Sequence, residues 1–293
     1  MRKAYVFLVV GLLSVVIGRS QAKQDSLPKW EHKGRFGVLL NQAGFKNWLP
    51  GGVNNFSGIL DLDLEWNHQS RRWEWRNTFD FALGYAKSQT TSFLIKTDDR
   101  MVFESLVKLR SNKAWNFSSS FDLKSQWASG DTYKKLTDAS DKRSQNSRFF
   151  SPAYLRLGVG FTYLKAKKLQ VVLNPLNARV ILVDRIFTET LADGEVYFGV
   201  GAGKISRWEA GASLSFQSTT DLAPNIEFKN MLNLVSNYLE EFKNVDLDYT
   251  GRIGMKVNKN VSASLEVQLV YDDNALAALQ TRQILGVSVF LPF

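Results

Sequence analysis

His32 and His68 are the only imidazoles in the chain, and it has no cysteine. Thiol nucleophiles, disulfides and zinc–thiolate sites are therefore excluded. A serine nucleophile would need one of the two histidines as general base, in the Ser-His-Asn manner of barrel phospholipases. His32 precedes the first predicted strand and His68 falls in a predicted inner turn, so neither reaches the outer lipid interface. No catalytic residue, and no enzyme, is expected. Oxygen donors cluster at Asp272, Asp273 and Asn274 and at Asp98 with Asp99, in predicted outer loops. Calcium takes such ligands, but Asp-Asp-Asn is ordinary turn chemistry. Neither a metal site nor a cofactor is expected. The remaining charge sits at alternate positions of long segments: Asp61, Asp63, Glu65, Arg76, Arg156, Asp246, Asp248, Arg252 and Lys256.

Those segments are strands by their period. In "VDLDYTGRIGMKV" (245–257) Val, Leu, Tyr, Ile and Met alternate with Asp, Asp, Thr, Arg and Lys. "ILDLDLEW", "WEWRNTFDFALGY", "WNFSSSFDLKSQW", "LRLGVGFTY", "WEAGASLSF" and "VSASLEVQLVY" repeat the pattern, the signature of strands with one apolar face. A soluble sandwich also alternates, but its strands usually run five or six residues. These are longer. Their polar faces favour Gly and Ser. Their apolar faces end in Trp66, Trp73, Trp75, Trp115, Trp127, Trp208, Tyr85, Tyr163 and Tyr271, as expected of the aromatic girdles of a membrane barrel.

The N-terminus supports export. Arg2 and Lys3 precede the apolar run "AYVFLVVGLLSVVIG", and "RSQA" follows with small residues at Ser20 and Ala22. This reads as a signal peptide over 1–22, cleaved, then a short periplasmic segment over 23–33 and a barrel over 34–293. Formal net charge is +9; losing Arg2, Lys3 and Arg19 leaves +6. No basic cluster points to nucleic acid. Beyond the leader no apolar run approaches the roughly 18 residues of a spanning helix. The fold class that remains is an all-β, transmembrane, antiparallel up-and-down barrel of about 12 strands, within a range of about 10–14.

Twelve strands are predicted at 34–42, 54–67, 72–86, 100–112, 113–128, 151–165, 168–183, 205–218, 224–238, 244–257, 259–271 and 282–293. An even count puts both ends on the periplasmic side, with short turns there and longer loops outside. "EVYFGVGAG" (195–203) would break that parity, so it is assigned to an outer loop, partly helical at "RIFTETLADG". "MLNLVSNYLEEF" and "RMVFESLVKLR" have helical spacing, and two helices there would leave ten strands. In the last strand Leu285, Val287, Val289, Leu291 and Phe293 have the form of a barrel assembly signal, and this strand should pair with 34–41.

Five stretches, "KNWLPGGVNNFSG" (46–58), "SPAYLRLGVGFTY" (151–163), "LNPLNARV" (173–180), "LVSNYLEEFKNVDLDY" (234–249) and "VYDDNALAALQTRQILGVSVFLPF" (270–293), together resemble an uncharacterised family of Bacteroidota outer-membrane β-barrels, domain of unknown function 3078. The resemblance implies fold and location in a Gram-negative outer membrane. It implies no activity and no site residues.

The expected function is that of an integral outer-membrane barrel. A narrow, porin-like channel or a structural surface barrel comes first, since about 12 strands lie between filled 8-stranded barrels and open 16-stranded porins. The near balance of inward charge predicts ion pairs between strands, for example Arg76 with Asp63, rather than a ring of one sign. An adhesin or scaffold working through loops 129–150 and 184–204 is the alternative, and a lipid-modifying barrel enzyme a more distant one. Expected partners are membrane lipid, the barrel-assembly machinery and a small solute.

Overall fold

A computed structural model describes residues 30–43, 55–88, 93–110, 114–135, 141–165, 168–239, 245–272 and 276–292. The expected signal peptide, Phe293, Asp273 and Asn274 lie outside the described residues. In chain order the strands are β1 (Glu31–Ala43), β2 (Asn55–Gln69), β3 (Trp73–Ser88), β4 (Ile95–Leu109), β5 (Trp115–Ser125), β6 (Gly130–Lys135), β7 (Asp141–Ser147), β8 (Ala153–Lys165), β9 (Leu169–Leu182), β10 (Val196–Tyr197), β11 (Val200–Gly201), β12 (Ser206–Ala223), β13 (Ile226–Asn237), β14 (Val245–Lys256), β15 (Val261–Asp272) and β16 (Leu276–Pro292).

Twelve of them close into one antiparallel barrel, ordered β1-β16-β15-β14-β13-β12-β9-β8-β5-β4-β3-β2. The closing pair joins β1 to β16, from Arg35 opposite Pro292 to Leu40 opposite Val287. Barrel strands run from 11 residues in β5 to 18 in β12, enough for a tilted crossing that needs about 9–11. The two remaining pairs, β6–β7 and β10–β11, are small hairpins outside the barrel sheet.

All twelve predicted strands are present, so 195–203 stays out of the barrel. The two segments with helical spacing are strands, β4 and β13; hydrogen bonding to both neighbours in the closed sheet overrides a local period. Boundaries move. β1 begins at Glu31 and β2 ends at Gln69, so both histidines lie in strands. β4 begins at Ile95, which brings Asp98 and Asp99 into it.

Short turns close one end at 70–72, 224–225 and 257–260, and β4 and β8 end there as well. At 224–225 Asn225 adopts a φ of 68°, a left-handed conformation that asparagine tolerates. Among the described residues the opposite end carries 93–94, 126–135, 141–152, 183–205 and 238–239. Loop 183–205 holds a single 3₁₀ turn over Arg185–Phe187, which the Asp184 side chain caps at the Ile186 N–H.

Candidate functional site: a lumen crossed by ion pairs

Along each barrel strand alternate side chains face outward and inward. The outward set includes Leu60, Leu157, Leu176, Leu285, Val287, Val289 and Leu291, all exposed. In water each would forgo about 1.5–3 kcal/mol of burial. The closed barrel thus inverts the soluble arrangement, with apolar side chains outside and charge within, which suits hydrocarbon and not water. Outward aromatics gather at two levels. Trp66, Trp73, Trp75, Trp115 and Tyr163 lie toward the short-turn end; Tyr85, Trp127, Trp208 and Tyr271 lie toward the long-loop end.

The nine charged residues picked out by alternation all lie on inward positions: Asp61, Asp63 and Glu65 on β2, Arg76 on β3, Arg156 on β8, and Asp246, Asp248, Arg252 and Lys256 on β14. They are spread along the lumen rather than gathered in one cluster. The expected Arg76–Asp63 pair does not form. Asp63 sits opposite Asp80, while Arg76 sits opposite Asn67 and donates across the lumen to Gln170 at 2.8 Å. Asp63 instead accepts from Arg35 Nε at 2.7 Å, and that guanidinium lies 4.2 Å above the Phe290 ring.

One inward row runs across five strands in register: Glu104, Asp122, Arg156, Arg179, Glu209. Its like-charged neighbours are relieved by other partners. Arg156 donates to Asp122 at 2.8 Å. Arg179 donates to Glu209 and pairs with Asp246 at 2.6 Å, and Arg207 pairs with Glu209 at 3.1 Å.

Other pairs cross the lumen. Lys124 on β5 meets Asp248 on β14, five strands away around the ring, and Gln268 donates to the same carboxylate at 3.0 Å. Arg282 on β16 grips Asp98 on β4 with two hydrogen bonds, 2.9 and 3.1 Å, and Glu266 with a third at 3.1 Å. Arg100 continues the chain to Asp80 at 2.7 Å and Glu266 at 3.7 Å. A round barrel of 12 strands about 4.8 Å apart, tilted about 40°, would be roughly 24 Å across between opposite backbones. A lysine, an aspartate and a hydrogen bond of about 2.8 Å reach little more than half of that. The barrel is therefore oval here, with side chains bridging its narrow axis.

Beside the bridges lies a chamber of about 290 Å³, in the half of the lumen toward the long loops. Its charged lining is Glu104, Asp122, Asp246, Asp248 and Asp272 against Lys124, Arg156 and Arg179. Tyr154, also in the lining, carries one side of a roof. Val200 is fully buried against Ile181 and Val183, with Tyr154, Tyr197 and Phe198 packed around them. The roof is the β10–β11 hairpin. Its turn, Phe198 and Gly199, has both φ angles positive, 48° and 76°, the pattern of a type I′ hairpin. Inward-facing Arg207 donates to the Gly199 carbonyl at 3.2 Å. The Tyr197 hydroxyl donates to the Asn146 carbonyl, and Arg148 pairs with Asp184 at 3.1 Å, tying the two long loops together. Burial pushes the Tyr197 phenol up to about 12. At the short-turn end a second cavity, about 80 Å³, is lined by Arg35, Lys229, Arg252, Lys256 and Glu227 among others.

Sequence reasoning did not single out Arg35, Arg100, Arg179 or Arg282. Arg282 carried a signal, since it has the parity opposite to Leu285 and Val287. Asp98, read as a loop residue with Asp99, is taken by Arg282. Asp99 accepts from Lys96 at 2.7 Å and from the backbone N–H groups of Trp127 and Ala128 at 2.7 and 2.9 Å, which is turn chemistry. Among the described residues no three His, Cys, Asp or Glu side chains converge to hold a metal ion. His32 and His68 face outward at the short-turn end, in a cluster with Trp30, Trp73 and Trp75.

Among solved structures the chain is similar to the translocator domain of autotransporter NalP from Neisseria meningitidis, at 7% identity over 90% of this chain and 89% of that one, with a TM-score of 0.43. It is similar to the COG4313 outer membrane channel from Pseudomonas putida F1, at 11% identity over 94% and 100% of the two chains and a TM-score of 0.41. It is also similar to the KdgM porin, at 12% identity over 87% and 98% and a TM-score of 0.31. No curated protein matches the chain. Of the five stretches that carried the family resemblance, "KNWLPGGVNNFSG" lies inside the matched family segment and the other four lie beyond it: residues 40–130 match the family described as a protein of unknown function, DUF3078.

Proposed function

We propose that the protein is a narrow outer-membrane channel whose lumen is constricted by ion pairs, with its short turns toward the periplasm. The observation that supports this is the pair of cross-lumen bridges, Lys124 with Asp248 and Arg282 with Asp98. They span a passage that contains a chamber lined in part by charged side chains. The chamber has five acids against three bases, so small cations are favoured over anions. No catalytic step is assigned, because both histidines sit outside the lumen among tryptophans. Single-channel recording in planar bilayers tests the reading. The wild type should give small, weakly cation-selective steps, and Lys124→Ala/Arg282→Ala larger ones. An absence of steps from both proteins would sink it.

A second reading, a surface barrel acting through its outer loops, has one observation in its favour. Loop 183–205 has its own small core, with Val200 and Thr188 fully buried and the Thr188 hydroxyl bonded to the Lys204 carbonyl at 2.7 Å. Cell-surface binding that survives loss of this loop would remove that reading.

A further inference from the structure

We infer that the outer wall of β2–β4, at the short-turn end, binds an anionic phospholipid through its phosphate. This rests on the reading above that the short turns face the phospholipid leaflet. Arg71 and Arg72 occupy the turn between β2 and β3, both exposed. Ser70 tightens that turn, its hydroxyl accepting from the Trp73 N–H at 3.2 Å. Arg110, just past β4, is fastened to the same turn. Its N–H donates to the Arg72 carbonyl at 2.7 Å and its Nη1 to the Ser70 carbonyl at 3.1 Å. Three arginines thereby sit on two adjoining turns, with the Arg110 guanidinium bonded to the Ser70 carbonyl. Among the described residues none of the three has an acidic partner; the nearby Glu74 is taken by Lys108 at 3.0 Å.

An aromatic patch fixes the depth of these arginines. Trp30 stands 4.9 Å from His68 and 5.6 Å from Trp75, and His68 stacks on Trp73 at 4.5 Å. The Trp75 Nε1–H donates to the Ser105 hydroxyl at 2.8 Å, which fixes that indole. Such amphipathic rings settle at headgroup level, so the guanidiniums directly beyond them meet the phosphates. On the apolar side Val107 and Leu109, exposed and directly opposite Trp75 and Trp73, offer a track for an acyl chain. The other short turns carry no arginine, although 166–168 is basic, with Lys167 and Lys168 next to Lys165. Lys168 is bound to Asp221 at 2.6 Å, which also raises its pKa, the turn 224–225 is uncharged, and Lys259 stands without a neighbouring arginine.

The test is tryptophan quenching in phosphatidylcholine vesicles carrying a small share of brominated phosphatidylglycerol, against the same share of brominated phosphatidylcholine. Wild-type protein should be quenched more by the anionic lipid, and salt should weaken the difference. An arginine near an anionic surface contributes about fivefold in affinity, so Arg71→Gln/Arg72→Gln/Arg110→Gln should lose at least fivefold of the preference. Arg71→Lys/Arg72→Lys/Arg110→Lys should keep most of it. Equal quenching by the two lipids in the wild type, or a preference retained by the glutamine variant, overturns the inference while leaving the channel reading intact. Failure of the wild type to insert at all, seen as no heat-modifiable band, overturns both.

Discussion

Replacing Arg282 with methionine removes the centre of the longest ion-pair chain in the lumen. Asp98 would lose both hydrogen bonds from the guanidinium while its side chain stays 4% exposed; Glu266, 13% exposed, would keep only Arg100 at 3.7 Å. Removing one partner of a buried pair costs about 3–5 kcal/mol. Arg282 itself is 31% exposed, so water reaches the bridge and the lower figure, about 3 kcal/mol, applies. Asp98→Asn is milder, about 1–2 kcal/mol, because Arg282 keeps Glu266. The double variant should cost about as much as Arg282→Met alone, giving a coupling of about 1–2 kcal/mol. Equilibrium unfolding in urea, in detergent micelles and followed by tryptophan fluorescence, measures all four corners of the cycle. Additivity within about 0.5 kcal/mol would show that the two groups do not interact and that the crossing is absent.

Three further outcomes follow from the geometry. A Cβ at Gly211 would overlap the Ser236 carbonyl, and no side-chain movement relieves a clash with backbone, whereas a Cβ at Gly254 meets nothing within 4 Å; Gly211→Ala should destabilise by about 1–3 kcal/mol and Gly254→Ala should not, as read by urea midpoints. Tyr197 has its pKa raised by burial to about 12 from about 10, so the stability it gives as a neutral phenol is complete below pH 10 and lost as pH rises through 12. Tyrosinate absorbance and proteolysis of loop 183–205 should change together in that window, and Tyr197→Phe should remove the tyrosinate step. Replacing 196–201 with two glycines should raise conductance with little change in the urea midpoint, because that hairpin pairs outside the barrel sheet; a lost barrel would contradict its place as a roof.

The barrel was legible because lipid and lumen impose a period of two on the chain. Each of Leu60, Leu62 and Leu64 says outward as clearly as Asp61 and Asp63 say inward. Parity then kept Val196–Gly201 out of the sheet. The pairing inside the lumen was not legible. Which inward charges face each other depends on strand register, and the register that places Asp63 beside Asp80 is invisible in either segment alone. Contacts across the lumen are harder still. Arg282 and Asp98 are 184 positions apart and meet only because an oval section brings β16 to β4. Bulges hide more. Pairing on both sides of β9 shifts near Pro175, which moves Arg179 out of the alternation that 169–174 would suggest.

The choice of ions for these bridges bears on function. An oval lumen could be filled with leucine and valine, and a buried ion pair is seldom more stabilising than an apolar replacement of the same shape. A barrel needed only as a rigid support would gain by that exchange. On the channel reading, charged bridges keep something that apolar filling gives up, because each half can be rehydrated if the walls separate, and the wetted passage would then conduct. Lys124 is nearly half exposed and Arg282 about one third, so both already touch water on one side. Separating them would let that water reach Asp98 and Asp248, which their partners now cover. On the channel reading proposed above, the placement of the bridges beside a chamber with charged lining residues, under a hairpin that pairs with no barrel strand, suits a passage that opens rather than a plug.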